Sequence, residues 1–185
     1  MKGIIFREFL DLVEDKFGLE TVDEIIQKSE LKSEGAYTTT GTYEFSEMLQ
    51  LISNLSQKTS ISADDLLLIY GEHLFGVFKK KYPQMINSYK DPIELLSSIE
   101  NHIHVEVIKL YPDAELPSFQ VIEKSEKSLI MLYKSDRALY KLGLGLMNET
   151  FNHFQTKVNI FTEVIKPDGT EVKFEMNILD DSESN

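Results

Sequence analysis

The chain has 185 residues, enough for one domain with a substantial core or for two closely joined subdomains. Its formal net charge of −12 sets it against phosphate backbones and anionic bilayers, so nucleic acid and membranes are not expected partners. It has no cysteine, which excludes disulfides, thiolate metal sites and a thiolate nucleophile and makes a reducing cytoplasm the simplest location.

The opening "MKGIIFREFLDLVEDKFG" interrupts its apolar residues with Arg7, Glu8, Asp11 and Glu14, the pattern of an amphipathic helix and not of a signal peptide. Phe6, Leu10, Val13 and Phe17 share one face, with Ile5, Phe9 and Leu12 beside them, and Gly18 closes the helix. A second helix is predicted in "TVDEIIQKSE", then a polar loop in "SEGAYTTTGTYEFS". Helices resume at "FSEMLQLISNLSQ" and after Ser62, where "SADD" has the spacing of a capping box. Pro83 and Pro92 punctuate the next connection, and a helix starting at Pro92 carries His102 and His104. No run approaches the ~18 apolar residues of a membrane span.

After "YPDAELP" the period changes from helix to strand. "SFQVIEKSEKSLIMLYKS" is predicted as strand, turn and strand; "ALYKLGLGLMNETFNHFQ" as a helix; "KVNIFTEVIKPDGTEVKFEMNI" as a hairpin turned by "KPDG". The tail "DDSESN" has the composition of a disordered end. The fold class is α+β, with an antiparallel sheet in the C-terminal part.

Three groups of residues carry potential chemistry. On a helix, residues two apart are turned about 200° from each other, so His102 and His104 cannot share a face. His104 shares its face with Val107, Ile108 and Tyr111 and is predicted to point inward, with His102 solvated. An inward histidine is most often a core residue with a backbone partner, but a neutral imidazole in an apolar pocket is also what ligates haem iron. In "YKSDR", read as a strand, Tyr133, Ser135 and Arg137 project from one face over roughly 13 Å at ~3.3 Å per residue, with Leu129 and Met131 continuing it as apolar wall. That row of phenol, hydroxyl and guanidinium suits a carboxylate, although an ordinary sheet surface with a salt bridge fits the pattern as well. In "LYKLGLGLMNETF", Leu139, Leu142 and Leu146 form one stripe, and Tyr140, Leu144, Met147 and Phe151 another. Gly143 and Gly145 each cost a helix roughly 1 kcal/mol relative to alanine, so a neighbouring backbone or a flat ligand is expected close by.

The spacing of "HVEVIKLYPDAELPSF" and "MLYKSDR" closely resembles the H-NOX family, the haem nitric oxide/oxygen binding domains related to the haem domain of soluble guanylate cyclase. The family signature is a proximal histidine followed about thirty residues later by Tyr-x-Ser-x-Arg. His104 and Tyr133 stand 29 residues apart, and "YKSDR" fills the motif. "MKGIIF" and "YPDAELPSF" are similar to the family's opening and to the segment after its histidine, so the resemblance spans essentially the whole chain. It implies an H-NOX fold: a helical N-terminal subdomain over about 1–60, haem-ligating helices and antiparallel sheet over about 61–179, and a polar tail at 180–185.

The same resemblance implies a role for particular residues. His104 is the axial ligand of haem b iron; Tyr133, Ser135 and Arg137 hold the propionates; Pro117 presses on the porphyrin. Ile5, Phe9, Leu74, Phe78, Leu142 and Leu146 fill the distal side, with His73 near it and pointing away. Oxygen-binding members carry a distal tyrosine where this chain has Leu142, and Tyr140 is two positions off on another helix face. Bound O₂ needs that donor far more than NO or CO does, so the implied ligand is NO, and also CO, at ferrous haem.

The expected activity is sensing and not catalysis: the iron–His104 bond weakens or breaks, the subdomains rearrange, and a separate histidine kinase or cyclic-di-GMP enzyme is regulated. Three rivals stay open, namely an oxygen-binding haem sensor, a haem peroxidase and a haem-free interaction module. The peroxidase needs polar distal groups that the implied set lacks.

Overall fold

In a computed structural model of the chain, residues 1–179 are described, so the polar tail at 180–185 lies outside them. In the N-terminal part α1 (Gly3–Phe17) and α3 (Phe45–Thr59) pack against α4 (Ala63–Lys81), and α2 (Leu19–Gln27) packs against α1 and α3. Gly18, at φ 85°, provides the sharp corner between α1 and α2. Ser62 caps α4 as the capping-box spacing predicted, its hydroxyl oxygen accepting the Asp65 N–H at 3.1 Å. Phe6, Phe9, Ile25, Met48, Leu51 and Leu55 form a buried core, to which α4 adds Leu66, Tyr70 and Leu74.

The connection marked by the two prolines is itself helical, as α5 (Pro83–Asn87) and α6 (Pro92–Ser97), each with proline in its first turn. The single helix predicted from Pro92 is broken. A π-helical turn, Ile99–Ile103, separates α6 from α7 (His104–Leu110). Its wider winding shows in the Ile103 N–H, which reaches back five residues to the Ser98 carbonyl at 3.4 Å. Such turns concentrate at functional sites, and this one directly precedes His104.

β1 (Ser118–Lys124), β2 (Ser128–Lys134), β3 (Val158–Val164) and β4 (Glu171–Ile178) form one antiparallel sheet in the order β1-β2-β4-β3. The period-2 alternation buries Leu129, Met131 and Tyr133 of β2 beside Met176, Phe174 and Val172 of β4. A hairpin turn joins β3 to β4, with Gly169 at φ 76° and its N–H bonded to the Lys166 carbonyl at 2.9 Å. Helix α8 (Tyr140–His153) lies against α4, and its Met147 and Phe151 enter the sheet's core. No helix among the described residues is long and apolar enough to cross a membrane.

Candidate functional site

A cavity of about 310 Å³ lies where α1, α4, α8, the sheet and the His104 segment converge. Of the residues singled out from the sequence, Ile5, Leu74, Phe78, His104, Pro117, Tyr133, Ser135, Arg137, Leu142 and Leu146 all line it. Phe9 does not. Only the first turn of α1 reaches the cavity; Phe9, one turn further, is buried in the N-terminal core with its ring 5.3 Å from that of Tyr70. His73 is also off the cavity, its Nε2 buried without a hydrogen-bond partner and 3.9 Å from Glu8 Oε2.

His104 opens α7 and is half-buried, while His102 is exposed and meets the Tyr89 hydroxyl through Nδ1. Burial pushes the His104 imidazole below its ordinary pKa, against an opposing pull from Glu100. A neutral ring with a lone pair is thus available at neutral pH. Among the described residues no group of three or more His, Cys, Asp or Glu side chains is placed to hold a metal ion. One imidazole cannot bind a bare ion tightly, so a metal held here must bring most of its ligands with it, as a porphyrin does.

The polar end of the cavity differs from the predicted strand row. β2 stops at Lys134, and Ser135 and Arg137 sit in the turn that follows, with Ala138 at φ 51°. The Ser135 hydroxyl oxygen accepts the Arg137 N–H at 3.2 Å, and the Ser135 N–H reaches the Thr170 carbonyl at 3.0 Å. The turn keeps Ser135 and Arg137 beside the Tyr133 phenol, where a strand would have spread the three along its face. Burial raises the Tyr133 phenol above its usual pKa, keeping it a donor. Arg137 lies over the Phe45 ring, and its guanidinium donates to the Glu115 carbonyl at 2.9 Å and to the Glu115 carboxylate.

Beyond Arg137 is a polar recess of about 460 Å³ that includes Lys2, Thr42, Asp113 and Glu115. Asp113 accepts from Thr42 Oγ1 at 2.6 Å and from Lys2 Nζ at 2.9 Å, and these bonds hold its carboxyl at a pKa of about 2. Nearby, the hydroxyls of Tyr82 and Tyr111 are 3.1 Å apart, and burial pushes Tyr82 up to about 12.

Sequence reasoning missed several lining residues. Met85 and Ile86 of α5, Leu95 and Leu96 of α6, and Tyr82 at the end of α4 all face the cavity. Tyr82, Met85 and Ile86 flank Pro83 in a segment read as a connection, and Leu95 and Leu96 belong to the helix read from Pro92, whose inward face was judged from its histidines alone. Tyr140, weighed as a nearby phenol, does not line it.

An apolar chamber with one neutral imidazole and a phenol, hydroxyl and guanidinium at one end suits a flat apolar group that carries a metal and carboxylates. Residues 2–162 match the haem-NO-binding family, and the chain belongs to it. It is 65% identical to the H-NOX protein from K. algicida, solved in its Fe(II) unliganded state, covering 98% of each chain with a TM-score of 0.95. An H-NOX protein from S. oneidensis in the Fe(II)NO state is 25% identical, with 97% of this chain and 100% of that one covered and a TM-score of 0.89. Soluble guanylate cyclase 89Db of Drosophila melanogaster is 27% identical over 157 residues, 83% of this chain. The chain spans only 23% of that cyclase's length.

Proposed function

We propose that this haem-NO-binding domain is a gas sensor selective for NO, with His104 as the iron ligand and a separate protein as its output. When bound, haem b would supply a ferrous iron able to take up NO or CO, held to the protein through an imidazole. His104 would give that imidazole. Tyr133, Ser135 and Arg137 would bind the propionates, and Pro117 would press on the macrocycle. Leu74, Phe78, Leu142 and Leu146, with Ile5, offer no hydrogen bond to a bound gas. A buried donor favours O₂ by up to several kcal/mol, so its absence from these five side chains favours NO and CO.

Release of the His104 imidazole on NO uptake would let α7 relax and the N-terminal helices rotate against the sheet. Supporting this step, the segment just after α7 is tied to the N-terminal part by Lys2 and Thr42 on Asp113 and by Tyr82 on Tyr111. A movement of α7 would therefore be passed to the N-terminal helices, as a two-state switch requires. The output is a histidine kinase or a cyclic-di-GMP enzyme acting in trans, by similarity to bacterial members.

The observation that carries the proposal is the single neutral imidazole of His104 inside an apolar cavity ending in Tyr133, Ser135 and Arg137. The test is an absorption spectrum of the reduced protein in argon, in air and with NO. The expected result is a Soret band that shifts with NO and does not change to a stable oxygenated form in air. A protein that takes up no haem, or that forms a stable O₂ complex, contradicts the proposal.

A further inference from the structure

Glu100 stands four residues before His104, across the π-helical turn. Its Oε1 accepts the backbone N–H of Phe119, on β1, at 2.5 Å, and the same oxygen lies 3.4 Å from His104 Nδ1. Among the described residues no other polar side chain contacts the His104 ring; its remaining ring neighbour is Phe119, at 6.2 Å between centroids. One carboxylate oxygen thus faces an amide from the sheet and a ring nitrogen from α7.

We propose that Glu100 is a positioning residue for His104: it accepts the Nδ1 proton, leaves Nε2 to the cavity, and strengthens the ring as a donor to iron. The proposal rests on the haem reading above. A histidine that ligates through one ring nitrogen keeps its proton on the other, and a carboxylate at that proton raises the donor strength of the ring. A charged acceptor does this more strongly than a neutral one. The Phe119 amide keeps the carboxylate in place, so the orientation of His104 is referred to β1 and not only to its own helix. In functional terms, Glu100 opposes release of His104 and sets how readily NO breaks that bond.

A purely structural Glu100, pinning the π-helical turn to β1, would have the same contacts. Glu100→Gln separates the two, because a glutamine oxygen still accepts from Phe119 while the charge is gone. Glu100→Ala removes both. The haem-loaded wild type and both variants would be compared by resonance Raman and by redox titration. The expected result is a lower iron–imidazole stretching frequency and a higher midpoint potential in both variants, with a larger five-coordinate fraction after NO. An unchanged frequency and potential in Glu100→Gln, whether or not Glu100→Ala shifts them, overturns the proposal and leaves the structural role. A wild-type protein with no iron–imidazole band overturns both this proposal and the ligation by His104 on which it rests.

Discussion

The α-carbon of Gly145 on α8 lies so close to the Leu68 carbonyl of α4 that a β-carbon added there would stand 2.1 Å from the oxygen. The contact is reciprocal: a β-carbon on Gly71 would stand 2.1 Å from the Leu142 carbonyl. Both obstacles are backbone, which cannot swing aside. This close approach sets the spacing that lets Leu74 and Leu142 line the same cavity. Gly145→Ala is expected to cost about 1–3 kcal/mol, as overpacking does, and to lower both melting temperature and haem affinity. An unchanged melting temperature would show that the helices separate freely.

Arg137 contributes the one guanidinium that lines the cavity. Losing a hydrogen bond from a charged donor costs about 1.5–3 kcal/mol, so Arg137→Ala should weaken haem binding about 10- to 100-fold. Tyr133→Phe removes one donor to the same carboxylates, also worth about 1.5–3 kcal/mol because the acceptor is charged, and should weaken it about 10-fold or more. Transfer of haem to an excess of a scavenger protein measures both. Equal transfer rates in the wild type and Arg137→Ala would remove Arg137 from the site.

Leu142→Tyr places a phenol at the cavity wall. Its hydroxyl should slow autoxidation in air and produce a ferrous–O₂ spectrum absent from the wild type, with little change in CO binding. Identical spectra of wild type and variant in air would mean that selectivity is set elsewhere.

Asp113 makes a pH prediction whose sign is fixed. Its folded pKa, about 2, is below the usual aspartate value because Thr42 and Lys2 hydrogen-bond the carboxylate. A depressed acid contributes its full stabilisation above its unfolded pKa, about 4, and loses it as the pH falls from there towards about 2. The carboxyl resonance of Asp113 should titrate near the lower value. Asp113→Asn should lower the melting temperature at neutral pH and match the wild type once both are protonated or neutral. A titration at the ordinary aspartate value would mean that the Lys2 and Thr42 contacts do not persist in solution.

The site was legible where different residue types stood at fixed spacing. His104 and the "YKSDR" group needed no structure to be singled out. The family resemblance set Phe9 beside Ile5 on the distal side, but only the first turn of α1 reaches the cavity, and Phe9 lies in the N-terminal core. The strand pattern through Tyr133 gave no warning that β2 stops at Lys134, since the turn depends on hydrogen bonds that Ser135 makes with Arg137, Ala138 and the distant Thr170. The π-helical turn before His104 has no sequence signature, and it moved the chain off the single helix expected from Pro92. Glu100, by contrast, stood in plain view at four residues before His104; its significance depends on Phe119, which approaches only in the folded chain.

The most direct measurement is haem retention by His104→Gly with and without added imidazole. The variant should lose haem on purification, and free imidazole should restore both the haem and the wild-type ferrous spectrum. Haem held at wild-type affinity by His104→Gly without imidazole would contradict the assignment of this residue as the iron ligand.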